Sequence, residues 1–347
     1  MWRVIGIIMV KDLIFKSLYN TLLQYNKILI VSHTNPDGDA IGSSLGLYLF
    51  LKKLGLEPKV MVPNDFPIFL SWMPAVEDII VFDKDVEKAV AYMRESELFC
   101  YLDFNSESRT GMMHNDLCHF KNTPRLLIDH HLEVDEDYFE ACLSETNVSS
   151  TSELVAELIQ YQDYNKYMDS DIATNLLVGI ITDTGSFAHS VYENTFSICN
   201  KLLSYSLDYR TIHQKIFNTF SENRLRLLGF LINERMVVLD EYKVAYIYVK
   251  KEDLDAFDYQ VGDTEGVVNY PLSMDKINMS VLITERQGMI RFSFRSKGDF
   301  SVNDLARKYF NGGGHLNAAG GTLVCTLDKA IERLLLVLPE YKEQLNK

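Results

Sequence analysis

The stretch Val31 to Leu47, VSHTNPDGDAIGSSLGL, follows a short apolar run and carries His33, Asp37 and Asp39. Other segments repeat that arrangement. YLDFNSESRTG ends an apolar run with Asp103 and holds Arg109; LLIDHHLE sets Asp129, His130 and His131 in succession; GIITDTGSF places Asp183 after an apolar helical segment. Singly, most of these have a plainer reading. HTNPDGD is also an Asx-rich loop capping a helix that starts near Ala40, Asp103 a turn former, Asp183 a helix-terminal carboxylate and Arg109 a solvated side chain. Consecutive histidines behind an apolar strand resist that reading, because a buried polar group needs a partner. Jointly, the set supplies mixed nitrogen and oxygen donors for two divalent cations, better suited to Mn²⁺ or Mg²⁺ than to a thiolate-bound metal. A carboxylate shared by two cations ~3.5–4 Å apart would activate water and neutralise charge on a phosphoryl group.

Such a set needs elements that deliver it to one place. Apolar runs rich in β-branched residues recur at KILIVSHT, PKVMVP, DIIVF, LFCYLDF and RLLIDHH, mostly separated by stretches of helical periodicity. That alternation predicts an α/β fold with a parallel sheet flanked by helices. Ligands bind beyond the carboxyl ends of such strands, so His33 to Asp39, Asp103 and Asp129 to His131 are expected at one sheet edge. From about Ser170 to Arg235 the pattern is mainly helical. From about Leu239 strands return with KVAYIYVK and with NMSVLITERQGMIRFSFRS, which predicts a hairpin around Gln287-Gly288. A helix near Val302 to Phe310, a short strand and a terminal helix complete a smaller C-terminal α/β domain with a mixed sheet. The expected division is a metal-binding domain over 1–205, a helical connector over 206–238 and a second domain over 239–347.

Composition bounds what the chain can hold. A formal net charge of −14 over 347 residues argues against gripping long nucleic acid through a broad basic surface, because that requires many phosphates to be neutralised. An anionic substrate should be small, or met locally by metals and a few arginines. The five cysteines, Cys100, Cys118, Cys142, Cys199 and Cys325, are scattered without C-x-x-C spacing; the expectation is a reducing cytoplasm with neither a disulfide framework nor a structural zinc site. The opening MWRVIGIIMVK is broken by Lys11 and Asp12 before it reaches membrane or signal length, so no membrane association is expected. Met9 is an alternative start, since the amphipathic pattern begins at Leu13.

The C-terminal run NGGGHLNAAGG is a phosphate-site candidate of another kind. Successive glycines at Gly312, Gly313 and Gly314 let amides turn toward one anion, with His315 as a further donor; a packing turn is the other reading. Between Arg286 and Lys308, six cationic residues (Arg286, Arg291, Arg295, Lys297, Arg307, Lys308) face only Asp299 and Asp304. That local basic excess in an acidic chain favours anion binding.

In this order, SHTNPDGDAIGS, YLDFN, IDHH, GIITDTG and GGGHLNAAGG resemble the DHH phosphoesterases that carry a DHH-associated C-terminal domain, over nearly the whole chain from about Leu13. The resemblance is greatest to the type that is both an oligoribonuclease and a 3′-phosphoadenosine 5′-phosphate phosphatase. It implies that His33, Asp37 and Asp103 bind one divalent cation and that Asp39, Asp103, His130 and Asp183 bind the other, with Asp103 bridging. It implies catalytic roles for Asp103, for His131 at the scissile phosphate and for Asp129 in orienting the histidines. Arg295, His315 and the Gly312 to Gly314 backbone would bind substrate phosphates or the terminal nucleotide, with Arg109 a further candidate. NVSSTSELV, Asn147 to Val155, also recurs in the family; its plain reading is a helix N-cap with Glu153 in the first turn.

The implied reaction is in-line attack of activated water on phosphorus, with two cations, Mn²⁺ or Mg²⁺, stabilising the equatorial oxygens. The implied partners are short RNA, cut from its 3′ end to nucleoside 5′-monophosphates, and 3′-phosphorylated adenosine nucleotides. Long duplexes are not expected, and a homodimer through the N-terminal domain stays open. Alternatives are the linear dinucleotide pApA from cyclic di-AMP turnover and, with similar metal motifs, pyrophosphate or polyphosphate. Tyr309 and Phe310 beside the glycines suit a nucleotide better. A non-catalytic nucleotide-binding regulator would be expected to lack part of the ligand set, and no member is missing.

Overall fold

The computed structural model describes residues 2–286 and 288–347, with side chains from Val10 onward. The packing of residues 1–8, on which the alternative start at Met9 turns, lies outside the described side chains. Two compact units divide the chain, Met1–Thr219 and Phe220–Lys347. The stretch read as a connector, 206–238, straddles that division.

In the first unit, β1 (Lys27–Val31), β2 (Glu57–Val62), β3 (Ile79–Val81), β4 (Leu98–Leu102), β5 (Arg125–Asp129) and β6 (Ala141–Ser144) form one parallel sheet in the order β3-β2-β1-β4-β5-β6. The strands expected from the apolar runs are all present. β6 is present but was not expected from the sequence, because ACLS is short and carries no turn or alternation signal. Both faces are covered, as a parallel sheet requires. Ile28 and Ile30 of β1 face one hydrophobic core while Leu29 and Val31 face the other, the alternation expected of a strand. Helices α1 (Trp2–Leu22), α2 (Gly38–Lys53), α5 (Thr151–Ile159), α6 (Ser170–Asp183), α7 (Glu193–Leu203) and α8 (Tyr209–Phe217) supply the first core, and α3 (Val86–Glu95) and α4 (Met113–Leu117) the second.

Strand order reverses at β1, which pairs with β2 on one side and β4 on the other. That switch point opens a crevice at the carboxyl ends of β1 and β4. Helices α2 and α6 pack unusually closely there. A Cβ on Gly42 would lie 2.5 Å from the Asn175 carbonyl oxygen, and one on Gly179 would lie 1.9 Å from Ser152 Oγ and 2.9 Å from Asp39 Oδ1. Only glycine permits this approach, which brings the start of α2 to the end of α6.

In the second unit, β7 (Met236–Leu239), β8 (Val244–Val249), β9 (Met279–Arg286), β10 (Met289–Ser296), β11 (Gly313–Gly314) and β12 (Ala318–Leu323) form a sheet ordered β11-β12-β10-β9-β8-β7. It is mixed: β8 and β9 run parallel and the other pairs antiparallel. The expected hairpin is the β9–β10 pair, with Arg286 opposite Met289. Alternate residues of β10, Ile290, Phe292 and Phe294, are buried with α11 (Val302–Tyr309) and α12 (Leu327–Leu345) in one core. A second core gathers Leu227 of α9 (Glu222–Phe230), Leu254 of α10 (Lys251–Ala256) and Ile247 of β8. Among the described residues no helix is long and apolar enough to cross a membrane.

Candidate metal centre

Each side chain of the centre is set by the element that ends beside it. His33 follows β1, and its Nδ1 lies 2.9 Å from the Thr34 carbonyl oxygen. That contact puts the ring proton on Nδ1 and the lone pair on Nε2, which lies 3.3 Å from Asp103 Oδ2. Asp37 is the N-cap of α2, its Oδ1 accepting from the amides of Asp39 and Ala40 at 3.0 and 3.1 Å. The capping reading of this loop therefore holds, and capping engages one oxygen of the carboxylate.

Asp39, 1% exposed, is held from a distant part of the chain. Its two oxygens accept from Thr151 N at 2.7 Å and Ser152 N at 2.8 Å, first-turn amides of α5. Those amides have no partner within their own helix, and the positive end of the helix suits an anion. Ser150 caps α5, accepting from Glu153 N at 3.1 Å, as NVSSTSELV predicts. Glu153 is fully buried and its Oε2 accepts from Ser149 Oγ at 2.6 Å and Thr195 Oγ1 at 2.8 Å. The capping motif thus also serves the centre, through Thr151 and Ser152, which reading the sequence did not find. Their separation from Asp39 leaves no local signal; the S-x-x-E box locates a helix start but not its partner.

Asp103 is the hub. It sits past the end of β4 at φ 68°, in the left-handed region that aspartate tolerates better than most residues. Its Oδ1 accepts from Thr151 Oγ1 at 3.1 Å and lies 3.4 Å from His130 Nε2. His130 Nε2 also faces Asp39 Oδ2 at 4.0 Å and Asp183 Oδ2 at 3.7 Å, with Asp183 the last residue of α6. His131 turns differently: its Nδ1 lies 2.7 Å from Oδ1 of the fully buried Asp129, fixing that ring's tautomer, and 3.8 Å from Asp103 Oδ1. The other Asp129 oxygen, Oδ2, has no hydrogen-bond partner among the described residues.

Electrostatics report a concentration of negative charge. Burial would lower the His130 pKa, but the hydrogen bond to Asp103 and the charges of Asp183, Asp103 and Asp39 push it up to about 10. Burial opposes a charged His33 as well, and Asp103 again outweighs it, so its pKa is raised. Asp103 is held well below the usual carboxylate range despite burial, by His130 and His33. Asp39 lies well above that range, through burial first and then the charges of Asp103 and Asp183. Protons on His130, His33 and Asp39 therefore offset part of that negative charge. His131 moves the other way, lowered by burial and by the positive charge of Arg109.

The donor set fits divalent cations. Two ligands each ~2.1 Å from one cation and at right angles lie about 3 Å apart, close to the 3.3 to 3.7 Å separations of His33, Asp103, His130 and Asp183. His33, Asp37 and Asp103 form one candidate set, and Asp39, Asp103 and His130 another, with ligand atoms in each within 4.8 Å of one another. Asp103 belongs to both. Asp103, Asp129 and His131 meet the same distance limit, but the 2.7 Å bond between the latter two makes them a positioning pair. Arg109 lies in the turn Glu107–Thr110, its carbonyl accepting from Thr34 N at 2.8 Å and Thr34 Oγ1 at 3.1 Å, and its charge lowers both His33 and His131.

In the second unit, Arg295 stands on β10 opposite Ala318 of β12, and Gly314 of β11 stands opposite Ala319. The arginine and the glycines therefore share one end of a three-stranded region. Two of the three glycine amides, and that of His315, are engaged within the chain. Gly312 N donates to the Ala306 carbonyl at 3.2 Å, Gly314 N to Asn303 Oδ1 at 2.8 Å and His315 N to the Ala318 carbonyl at 2.7 Å. Two of the glycines are required by close approach: a Cβ on Gly312 would lie 1.9 Å from the Gly320 carbonyl oxygen and one on Gly314 2.4 Å from the Ala318 carbonyl oxygen. Contact with an anion at this end falls to side chains.

Comparison with known proteins agrees with the two α/β units. The profile of the DHH family, N-terminal domain, matches residues 27–180, and that of the DHHA1 domain matches residues 241–341. A solved structure of an exopolyphosphatase-related protein from Bacteroides fragilis is 40% identical, with a TM-score of 0.88, covering 96% of this chain and 98% of that one. The bifunctional oligoribonuclease and PAP phosphatase NrnA of Bacillus subtilis is 27% identical over 88% of this chain and 92% of its own length. NrnA of Thermus thermophilus is 29% identical over 90% and 89%. The chain belongs to the DHH family, with a DHHA1 domain following.

Proposed function

We propose that this protein is a two-cation phosphoesterase acting where phosphate is attached to a ribose 3′ oxygen. Its substrates are short oligoribonucleotides, shortened from the 3′ end with release of nucleoside 5′-monophosphates, and 3′-phosphoadenosine 5′-phosphate, converted to AMP. The linear dinucleotide pApA is among the shortest of the first kind. The observation that carries this reading is Asp103, common to two overlapping ligand sets at the switch point. The names of the Bacillus and Thermus relatives support the substrate class.

His33, Asp37 and Asp103 would hold one cation and Asp39, Asp103, His130 and Asp183 the other, with Mn²⁺ the preferred ion and Mg²⁺ the substitute. When bound, the cations supply Lewis-acid polarisation of the phosphoryl group and neutralise its developing charge. The protein's own residues do the rest. Asp129 holds the His131 Nδ1–H and favours the doubly protonated ring, whose Nε2–H then donates to the scissile phosphate. Arg109 adds positive charge on the same side. Arg295 and His315 hold the terminal nucleotide, and Gly312, Gly313 and Gly314 keep the backbone clear of it. In this reading 1–205 is the catalytic domain, 206–238 the connector and 239–347 the substrate-binding domain of a cytoplasmic enzyme that needs no membrane, works alone or as a homodimer, and avoids long duplexes.

A second reading, hydrolysis of pyrophosphate or polyphosphate, is favoured by the name of the Bacteroides relative. One experiment separates the two: Mn²⁺-dependent product release from a 5′-labelled RNA ladder, with 3′-phosphoadenosine 5′-phosphate and pyrophosphate assayed in parallel. Stepwise loss of 3′ mononucleotides, fastest on the shortest RNAs, is expected. Turnover of pyrophosphate alone would move the protein to the polyphosphate branch.

A further inference from the structure

We infer that Glu107, His114 and Cys118 form a second metal site, separate from the Asp103 centre, selective for a thiophilic divalent cation of the zinc kind. His114 lies in the single turn of α4 and Cys118 is its C-cap, so an imidazole and a thiol stand four residues apart on one side of the turn. Cys118 Sγ lies 3.7 Å from His114 Nδ1 and 3.5 Å from its Nε2, Nδ1 lies 3.7 Å from Glu107 Oε2, and one ligand atom from each of the three residues lies within 4.8 Å of the others. A tetrahedral site with the usual zinc bond lengths, ~2.3 Å to sulfur and ~2.0 Å to nitrogen or oxygen, needs separations of about 3.5 and 3.3 Å. Rotation of the His114 ring and of the Cys118 side chain about their χ angles brings the donors to these separations.

The Glu107 carboxylate is divided between two tasks. Oε1 accepts from Arg125 Nε at 2.9 Å, from Tyr138 Oη at 2.8 Å and from Tyr101 Oη. That side is saturated by donors and fixes the carboxylate plane. Oε2 is the oxygen that faces His114. All three ligand groups are half-buried rather than sealed, so a cation and a water in the fourth position can reach them. Binding transfers the thiol proton to solvent as the metal–sulfur bond forms, so affinity rises with pH. The ligand softness separates this site from the oxygen-rich centre: one selects zinc or cobalt, the other manganese or magnesium. Occupation ties the turn that carries Arg109 to α4.

Cobalt(II) titration of the purified full chain tests this, because a cobalt–thiolate bond gives a near-ultraviolet charge-transfer band. The expected result is a band that saturates at one equivalent, is bleached by zinc, is absent in Cys118→Ser, and appears only at tenfold or higher cobalt in His114→Ala. Asp103→Asn should retain it in full. No band in the unaltered chain, an undiminished band in Cys118→Ser, or its loss in Asp103→Asn would each overturn the site.

Discussion

The switch point of the first unit and the glycine-rich end of the second both presented themselves as phosphate chemistry, yet they are built on opposite principles. At the switch point, residues from β1, β4, β5 and α6 converge, and their charges are left unbalanced: His130 is pushed up to about 10 and Asp39 lies well above the carboxylate range. At the glycine-rich end the amides of Gly312, Gly314 and His315 are already bonded within the chain, to Ala306, Asn303 and Ala318. Unbalanced charge in a buried place marks a site built for a cation. Satisfied amides around close-packed glycines mark a frame that holds side chains for a substrate. The lesson is that a run of glycines is tested by asking where its amides go.

The largest effect that would break this comparison is at Asp103. Asp103→Asn removes the ligand common to both sets and should lower kcat by ~10³-fold or more on every substrate, since several kcal/mol of charge stabilisation are lost and each 1.36 kcal/mol is tenfold. Activity within tenfold of the parent would deny the shared centre. Next, Asp129→Asn should lower kcat by ~10 to 100-fold through the protonation of His131 while cation stoichiometry by calorimetry stays the same; loss of a cation would make Asp129 a ligand. In the frame, Arg295→Ala should instead raise KM by ~10-fold, the scale of one charge-assisted hydrogen bond, with kcat little changed. A fall in kcat without a rise in KM would move Arg295 into the chemistry.

Gly179→Ala tests the close contact of α2 and α6. Its Cβ would meet Ser152 Oγ and Asp39 Oδ1, so stability should fall by ~1–3 kcal/mol in denaturant melts and Mn²⁺ affinity should weaken with it. The last effect concerns pH. His130 keeps its proton up to about 10 in the cation-free protein, above its ordinary 6.5. Its contribution to stability is therefore complete below pH ~6.5 and lost as pH rises through about 10. Thermal melts in chelator should show that decline, and Mn²⁺ affinity should rise over the same range because the cation displaces the proton.

Much of this was legible because it is local. Apolar runs ending in His33, Asp103 and Asp129-His130-His131 are strand ends, and strand ends in a parallel sheet point at one edge. Asp183 was legible as the end of an apolar helix. What escaped reading depends on contacts far apart in the chain. The Thr151 and Ser152 amides on Asp39, the glycine contact between α2 and α6, and strand β6 leave no trace in spacing. Sequence offered Cys118 only as one of several scattered cysteines, since its partnership with Glu107 depends on how the turn after β4 folds back. The glycine run was legible as either an anion site or a packing turn, because spacing shows only that backbone can approach something closely; Gly312 and Gly314 approach β12.

The most direct test of the central claim is electron paramagnetic resonance of the Mn²⁺-loaded chain, carried out on Cys118→Ser so that only the Asp103 centre is counted. Two Mn²⁺ per chain with a spin-coupled spectrum, collapsing to an uncoupled signal in the added Asp103→Asn variant, is the predicted result. Two uncoupled ions, or coupling that survives the loss of Asp103, would contradict it.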